Sequence, residues 1–190
     1  MKTSNPIRQG ILATLLTLPL HAAGPALRLE FAGGKDEPTW IAQNDGVMGG
    51  LSKGGAKIKD GLLVFSGTLS LENNGGFSQI HTKGGKYDLS SAKGFKLRVK
   101  GDGRTYQLRL ATDALHRGSN IAYTAGFETT ADEWVEVFVP FAEMKPTWRG
   151  SDLDGPPLDL SKVGEIAILL GDKKPGGFLV QFDWMEATGN

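Results

Sequence analysis

The sequence predicts an all-β protein, a jelly-roll sandwich, and three observations predict it. Short runs alternate apolar and polar residues with a period of two, the pattern of strands with one buried face. Glycine is abundant, 27 of 190 residues, roughly twice the average share, and falls between those runs without a repeat period. No stretch carries a long 3.6-residue amphipathic pattern. Roughly eight to ten short strands with glycine punctuation suit two packed sheets.

Taken in order, the chain opens on a segment that reads as a targeting signal. Lys2 and Arg8 are the only charges before the apolar stretch Ile11 to Leu20, and Leu20-His21-Ala22-Ala23 offers small residues for cleavage. A basic start, a short apolar core and a small-residue exit predict a secretory signal over residues 1–23. One mature domain would follow over residues 24–190, in an exported, periplasmic or extracellular protein. The apolar stretch falls short of the roughly 20 residues that a transmembrane helix requires, so no membrane span is expected in the mature chain. Cysteine is absent, which removes disulfides and a lipid anchor, and a domain of this size can bury an adequate core without them.

The strands follow. Leu62 to Phe65 is an apolar run, and Phe77 to His81 sets Phe77, Gln79 and His81 on one face and Ile80 on the other. Phe95 to Lys100 places Phe95, Leu97 and Val99 opposite Lys96, Arg98 and Lys100. Tyr106 to Leu110 and Trp134 to Val139 alternate likewise, the latter ended by Pro140. Ile166 to Leu170 is apolar throughout, as a strand in the middle of a sheet would be, and Phe178 to Trp184 supplies a final strand. Asp88-Leu89-Ser90 and Asp159-Leu160-Ser161 each precede a strand and read as single turns capped by the Asp side chain. The segment Lys145 to Pro157, rich in Pro and Gly, reads as a long surface loop.

Charge excludes some partners. Lys plus Arg and Asp plus Glu both number 21, so nothing in the balance favours nucleic acid or an anionic membrane. Catalytic motifs are thin. Gly50-Leu51-Ser52-Lys53-Gly54 matches the G-x-S-x-G elbow, but no helix follows to raise Ser52 over an oxyanion hole. Zinc is not expected, because beyond residue 23 the chain holds only His81 and His116 and no thiol. A hydrolase using Asp and Glu pairs stays open, although no spacing singles out such a pair.

Three glycine-dense loops carry most of the information. Asn44-Asp45-Gly46-Val47-Met48-Gly49-Gly50-Leu51-Ser52 joins a carboxamide and a carboxylate to paired glycines; Glu72-Asn73-Asn74-Gly75-Gly76-Phe77 and Gly101-Asp102-Gly103-Arg104 follow. The first has the oxygens a calcium site uses and also the ordinary chemistry of a tight turn. The third reads most simply as a hairpin turn, with Arg104 free to pair with Asp102 or to cap a neighbouring loop.

Together the three blocks, in this order, resemble the complex I intermediate-associated protein 30 family, whose sequences carry Asp-x-Val-Met-Gly-Gly-x-Ser, Gly-Gly-Phe and Gly-Asp-Gly-Arg-x-Tyr. The resemblance covers Leu27 to Glu186. It implies a galactose-binding-like sandwich, similar to family 11 carbohydrate-binding modules, that binds instead of catalysing. Members of the family assist respiratory complex I assembly, so a protein partner or complex intermediate is the first expectation. Asn44, Asp45, Met48, Ser52, Asn74, Phe77, Asp102 and Arg104 are the candidate binding residues. Such sandwiches often hold a structural calcium, whose ligands the resemblance does not name; no other cofactor is expected.

A carbohydrate partner is the alternative. Gln79, His81, Arg98, Gln107 and Arg109 fall opposite an apolar face, and Tyr106, Tyr123 or Trp148 at its margins would stack on sugar rings. A solvated outer sheet face explains the same residues. The first set leads to a concrete geometric expectation: Asp45, Asn74 and Arg104 should gather at one end of the sandwich.

Overall fold

The computed structural model describes residues 26–34 and 37–189, and the segment read as a signal, residues 1–23, lies outside them. The described chain forms thirteen strands: β1 (Leu27–Glu30), β2 (Trp40–Asn44), β3 (Lys53–Lys59), β4 (Leu62–Leu69), β5 (Ser78–Thr82), β6 (Gly94–Lys100), β7 (Thr105–His116), β8 (Ser119–Glu128), β9 (Trp134–Pro140), β10 (Lys145–Trp148), β11 (Ser151–Asp152), β12 (Glu165–Leu170) and β13 (Gly176–Thr188). They make two antiparallel sheets. The first runs β3-β4-β13-β6-β9, with β1 also on β13, and the second runs β11-β10-β8-β7-β12-β5-β2.

Alternation places the core. Phe95, Leu97 and Val99 of β6 face Tyr106, Leu108 and Leu110 of β7 across the sandwich, all fully buried. Aromatic rings fill the layer between the sheets. Phe65 meets Phe178 edge-on at 4.9 Å, Tyr106 stacks on Phe127 at 6.1 Å, and Phe127 meets Phe182 at 6.2 Å. The apolar run β12 lies between β7 and β5, which explains why it lacks a polar alternation. β13 is long enough to pair with β4 through its first half and β1 through its second. A register shift at Asp183 lets Phe182 and Met185 both face inward.

Three expectations are corrected here. Lys145 to Pro157 is not simply a loop: β10 adds to β8, β11 adds to β10, and the Tyr123 hydroxyl donates to the Pro156 carbonyl at 3.1 Å. Tyr106 and Tyr123 sit in the core and not at the margin of a polar face. Gly101–Arg104 is not a hairpin, because β6 and β7 belong to different sheets. The two Asp-Leu-Ser turns do form as capped turns: Asp88 and Asp159 each accept from the amide and hydroxyl of the serine two residues on. They also lie side by side, with Leu89 N–H donating to the Leu160 carbonyl at 2.8 Å.

Candidate functional site

The strand register brings the three glycine blocks to one end of the sandwich. Asn44 pairs with Ser78 and Ser78 with Leu170, so the connections leaving β2, entering β5 and leaving β12 are neighbours. In the facing sheet Lys53 pairs with Thr68 and Leu69 with Gly176, which aligns the start of β3, the end of β4 and the start of β13 there.

Asp45 is the centre of the first two blocks. Its side chain is fully buried, and its carboxylate takes up donors from both loops. Oδ1 accepts from Ser52 N–H at 2.9 Å; Oδ2 accepts from the Ser52 hydroxyl at 2.5 Å, Gly76 N–H at 2.6 Å and Phe77 N–H at 3.3 Å. Burial pushes its pKa up, but the Ser52 hydroxyl and the three amides outweigh burial and hold it below the ordinary carboxylate value. The loops close tightly around it. A Cβ at Gly75 would stand 2.6 Å from Asp45 Oδ2, and one at Gly50 would overlap the carboxyl carbon. With its oxygens satisfied by N–H and O–H donors, Asp45 does not fit a calcium ligand at this loop. Among the described residues, no three His, Asp or Glu side chains cluster for a metal.

Ser52 is therefore a fastening. Its hydroxyl donates to Asp45 and accepts from Ser70 N–H at 3.0 Å, and strand β3, not a helix, follows it. Asn44 joins the two sheets at their edge. Its side chain donates to the Gly54 carbonyl and accepts from Gly54 N–H, both at 3.1 Å, while Ser78 Oγ donates to it at 2.6 Å. Phe77 is half-buried and contributes backbone bonds to Asp45. Asn74 is exposed in a left-handed conformation, whereas its neighbour Asn73 donates to the Gly49 carbonyl at 3.2 Å and ties the loops together.

Arg104 pairs with neither Asp45 nor Asp102. Its guanidinium forks onto Asp172, Nε to Oδ2 at 3.0 Å and Nη2 to Oδ1 at 2.7 Å, and also donates to the Gly177 and Lys174 carbonyls. The Asp172 hydrogen bond raises the Arg104 pKa. For Asp172, burial pushes the pKa up, but Arg104 wins and lowers it. Asp102 accepts from Arg104 N–H, from the Tyr106 hydroxyl at 3.1 Å and from Leu179 N–H at 2.9 Å. Lys173, in the loop that Arg104 holds, reaches Gly76 of the second block. The three blocks thus share one end through the β12–β13 loop, without a direct Asp45–Arg104 bond.

These buried fastenings hold apolar side chains out in solvent. Val47 is 69% exposed and Met48 64%, with Leu51 from the same loop and Leu71 from the second also exposed. Of these, Met48 is among the binding candidates that the sequence marks; Val47, Leu51, Leu71 and Asp172 are not. Val47 and Leu51 lie inside the first block and were legible there. Asp172 carries no local signal, because its partner lies 68 residues away.

The alternative polar face divides. Gln79, His81, Gln107 and Arg109 share the outer face of the second sheet, where Arg109 Nη1 donates to Gln79 Oε1 at 2.6 Å and Gln79 bonds Gln43. His81 Nδ1 lies 3.0 Å from Glu165 Oε2, an ion-pair distance off the direction of a well-formed hydrogen bond; this carboxylate raises the His81 pKa. Arg98 belongs to the other sheet, 2.9 Å from Asp183. Trp148 packs instead on His116 and Arg149. With both tyrosines in the core, the face has lost its expected sugar-stacking rings. Two concavities of the described surface run along Pro156 to Leu160, away from this face.

The model of the family described as Complex I intermediate-associated protein 30 matches residues 29–182. The chain belongs to this family. A mouse relative, "Complex I intermediate-associated protein 30, mitochondrial", is 27% identical over 177 residues, covering 82% of this chain and 54% of its own. The chain therefore spans about half the length of that relative. The expectation of export is overturned by this comparison, since the mitochondrial relative points to an organellar location. Among solved structures, a family 11 carbohydrate-binding module from Clostridium thermocellum, in complex with a mixed-linked tetrasaccharide, superposes with TM-score 0.63 at 17% identity. That match covers 85% of this chain and 96% of the module. An agarase matches with TM-score 0.58 at 9% identity, over 88% of this chain and 25% of the enzyme. At these identities the likeness shows the galactose-binding-like sandwich and nothing more. Family and fold together support a non-enzymatic binding module.

Proposed function

We propose that this protein is a non-catalytic module that binds an intermediate of respiratory complex I assembly, using the loop end built on Asp45. The observation that carries the reading is the contrast within one loop. Asp45 and Ser52 are buried and fully bonded, while Val47, Met48 and Leu51 between them stand in solvent. Burying a carboxylate is costly unless donors surround it, and here the result is a stiff loop that presents apolar side chains ready for a protein surface. Family membership supplies the partner class, and the name of the mouse relative supplies complex I.

The test is co-migration with complex I intermediates on native gels in mitochondria that express the protein. Wild type should co-migrate, and a Val47→Glu, Met48→Glu double variant should not, at an unchanged melting temperature. A photo-crosslinker at Met48 should join complex I subunits. Co-migration that survives the double variant would remove the loop from the reading, and none for wild type would remove complex I. Loss of a hydrolytic activity on Ser52→Ala would replace the binding reading with a catalytic one.

A further inference from the structure

The opposite end of the second sheet carries a feature that the assembly reading does not use. The tetrapeptide His116-Arg117-Gly118-Ser119 forms the β7–β8 turn, and Trp148-Arg149-Gly150-Ser151 forms the β10–β11 turn. An aromatic residue, Arg, Gly and Ser occur in the same order in each. His116 pairs with Ser119 and Trp148 with Ser151, so both are two-residue hairpins. In both, the Arg and the Gly have positive φ: 49° and 78° for Arg117 and Gly118, 51° and 81° for Arg149 and Gly150. Asn or Asp is the preferred residue where arginine stands in such a turn. The chain makes this unfavourable choice twice.

Because β10 pairs with β8, the two tips are neighbours. The His116 ring meets the Trp148 ring edge-on at 5.0 Å. Both guanidiniums rest on that indole, Arg149 at 4.5 Å and Arg117 at 5.6 Å from its centroid. A guanidinium held over a ring keeps N–H groups at its edge for a bidentate acceptor. Among the described residues, neither arginine has a carboxylate within ion-pair distance. The arginines of the other sheet differ, since Arg28 and Arg98 also lie on tryptophan rings but have Glu186 and Asp183 beside them.

We propose that the twin arginine tips form a second interaction surface, which takes an acidic protein segment with two carboxylates spaced as Glu-x-Glu. Alternate side chains on an extended strand stand about 7 Å apart, a span suited to two guanidiniums on one ring. The protein has no excess positive charge, and this corner offers two arginines, far fewer cations than the six to ten phosphate contacts behind strong nucleic-acid binding. A short acidic segment fits that supply.

The test uses the full chain and the backbone preference itself. Asn suits the left-handed turn position better than Arg, so an Arg117→Asn, Arg149→Asn double variant should match or exceed the wild-type melting temperature. The probe is a synthetic peptide of alternating glutamate and serine, followed at low salt through the Trp148 indole N–H resonance. Wild type should bind it; the double Asn variant should bind at least tenfold more weakly, and the glutamine-for-glutamate peptide not at all. Equal binding by the double variant would overturn the proposal, as would the absence of any shift in wild type. Preference for inorganic phosphate, a single-stranded oligonucleotide or phosphatidylserine vesicles over the peptide would also overturn it.

Discussion

A single buried carboxylate decides the shape of the loop end. Asp45 satisfies donors from two loops, so Asp45→Ala leaves those amides unpaired in the interior. The expected cost is about 3 kcal/mol or more, read as a shift of the denaturant midpoint. The pH dependence has a definite sign. The folded-state pKa of Asp45 is depressed, so its contribution is fully present above the ordinary value of 3.8 and is lost as pH falls through the depressed one. The stability gap between wild type and Asp45→Asn should therefore narrow below about pH 4, and a gap that widened in acid would contradict this assignment. His81 behaves in the opposite sense. Glu165 raises its pKa, so the pair stabilises below the ordinary value of 6.5 and the contribution vanishes as pH rises through the raised one. Glu165→Gln should lower the His81 pKa in a proton NMR titration. An unmoved titration curve would mean that the 3.0 Å approach does not persist in solution.

At the scale of elements, the glycine blocks are close-approach devices as much as turns. Gly75→Ala drives a methyl group into Asp45 Oδ2 and should cost roughly what overpacking a core does, about 1–3 kcal/mol, while broadening the Val47 and Met48 resonances. Arg104→Lys keeps the charge but loses the fork onto Asp172, so amide exchange over Asp172–Gly177 should accelerate. The sequence revealed these elements unevenly, for physical reasons. β6, β7, β9, β12 and β13 were legible because branched and aromatic residues mark their inner faces. β8 was not, since Ala122, Thr124 and Gly126 blur the contrast between its faces. β10 was hidden by Pro146, which a strand near a sheet margin tolerates. Gathering three glycine blocks at one end could be anticipated from the rule that loops cluster at sheet ends. The Arg104–Asp172 pair could not, because its partners are brought together only by sheet order. The polar face failed as a unit for the same reason: alternation assigns a side chain to a face, not to a sheet, so Arg98 was grouped with residues of the opposite layer.

For the whole molecule, the sandwich closes through its ends. β1 pairs with the C-terminal half of β13, Leu27 opposite Ala187 and Glu30 opposite Trp184, so the first described strand is held by the last. Leu29 and Phe31 enter the core from this segment, Phe31 meeting Trp40 edge-on at 6.4 Å. Without disulfides, no covalent link replaces that closure. A chain starting at Gly33 loses two core side chains, together with the Ala26 N–H bond to the Ala187 carbonyl, and exposes an edge of β13. Each lost side chain is worth about 2–5 kcal/mol, comparable together with the 5–15 kcal/mol by which a domain is folded. A protein beginning at Gly24 keeps all of β1 and should unfold cooperatively, and one beginning at Gly33 should be unfolded or aggregated at room temperature. Calorimetry on the two truncations decides it. Equal melting temperatures would mean that β1 is an appended edge, and that the sandwich is complete from β2 onward.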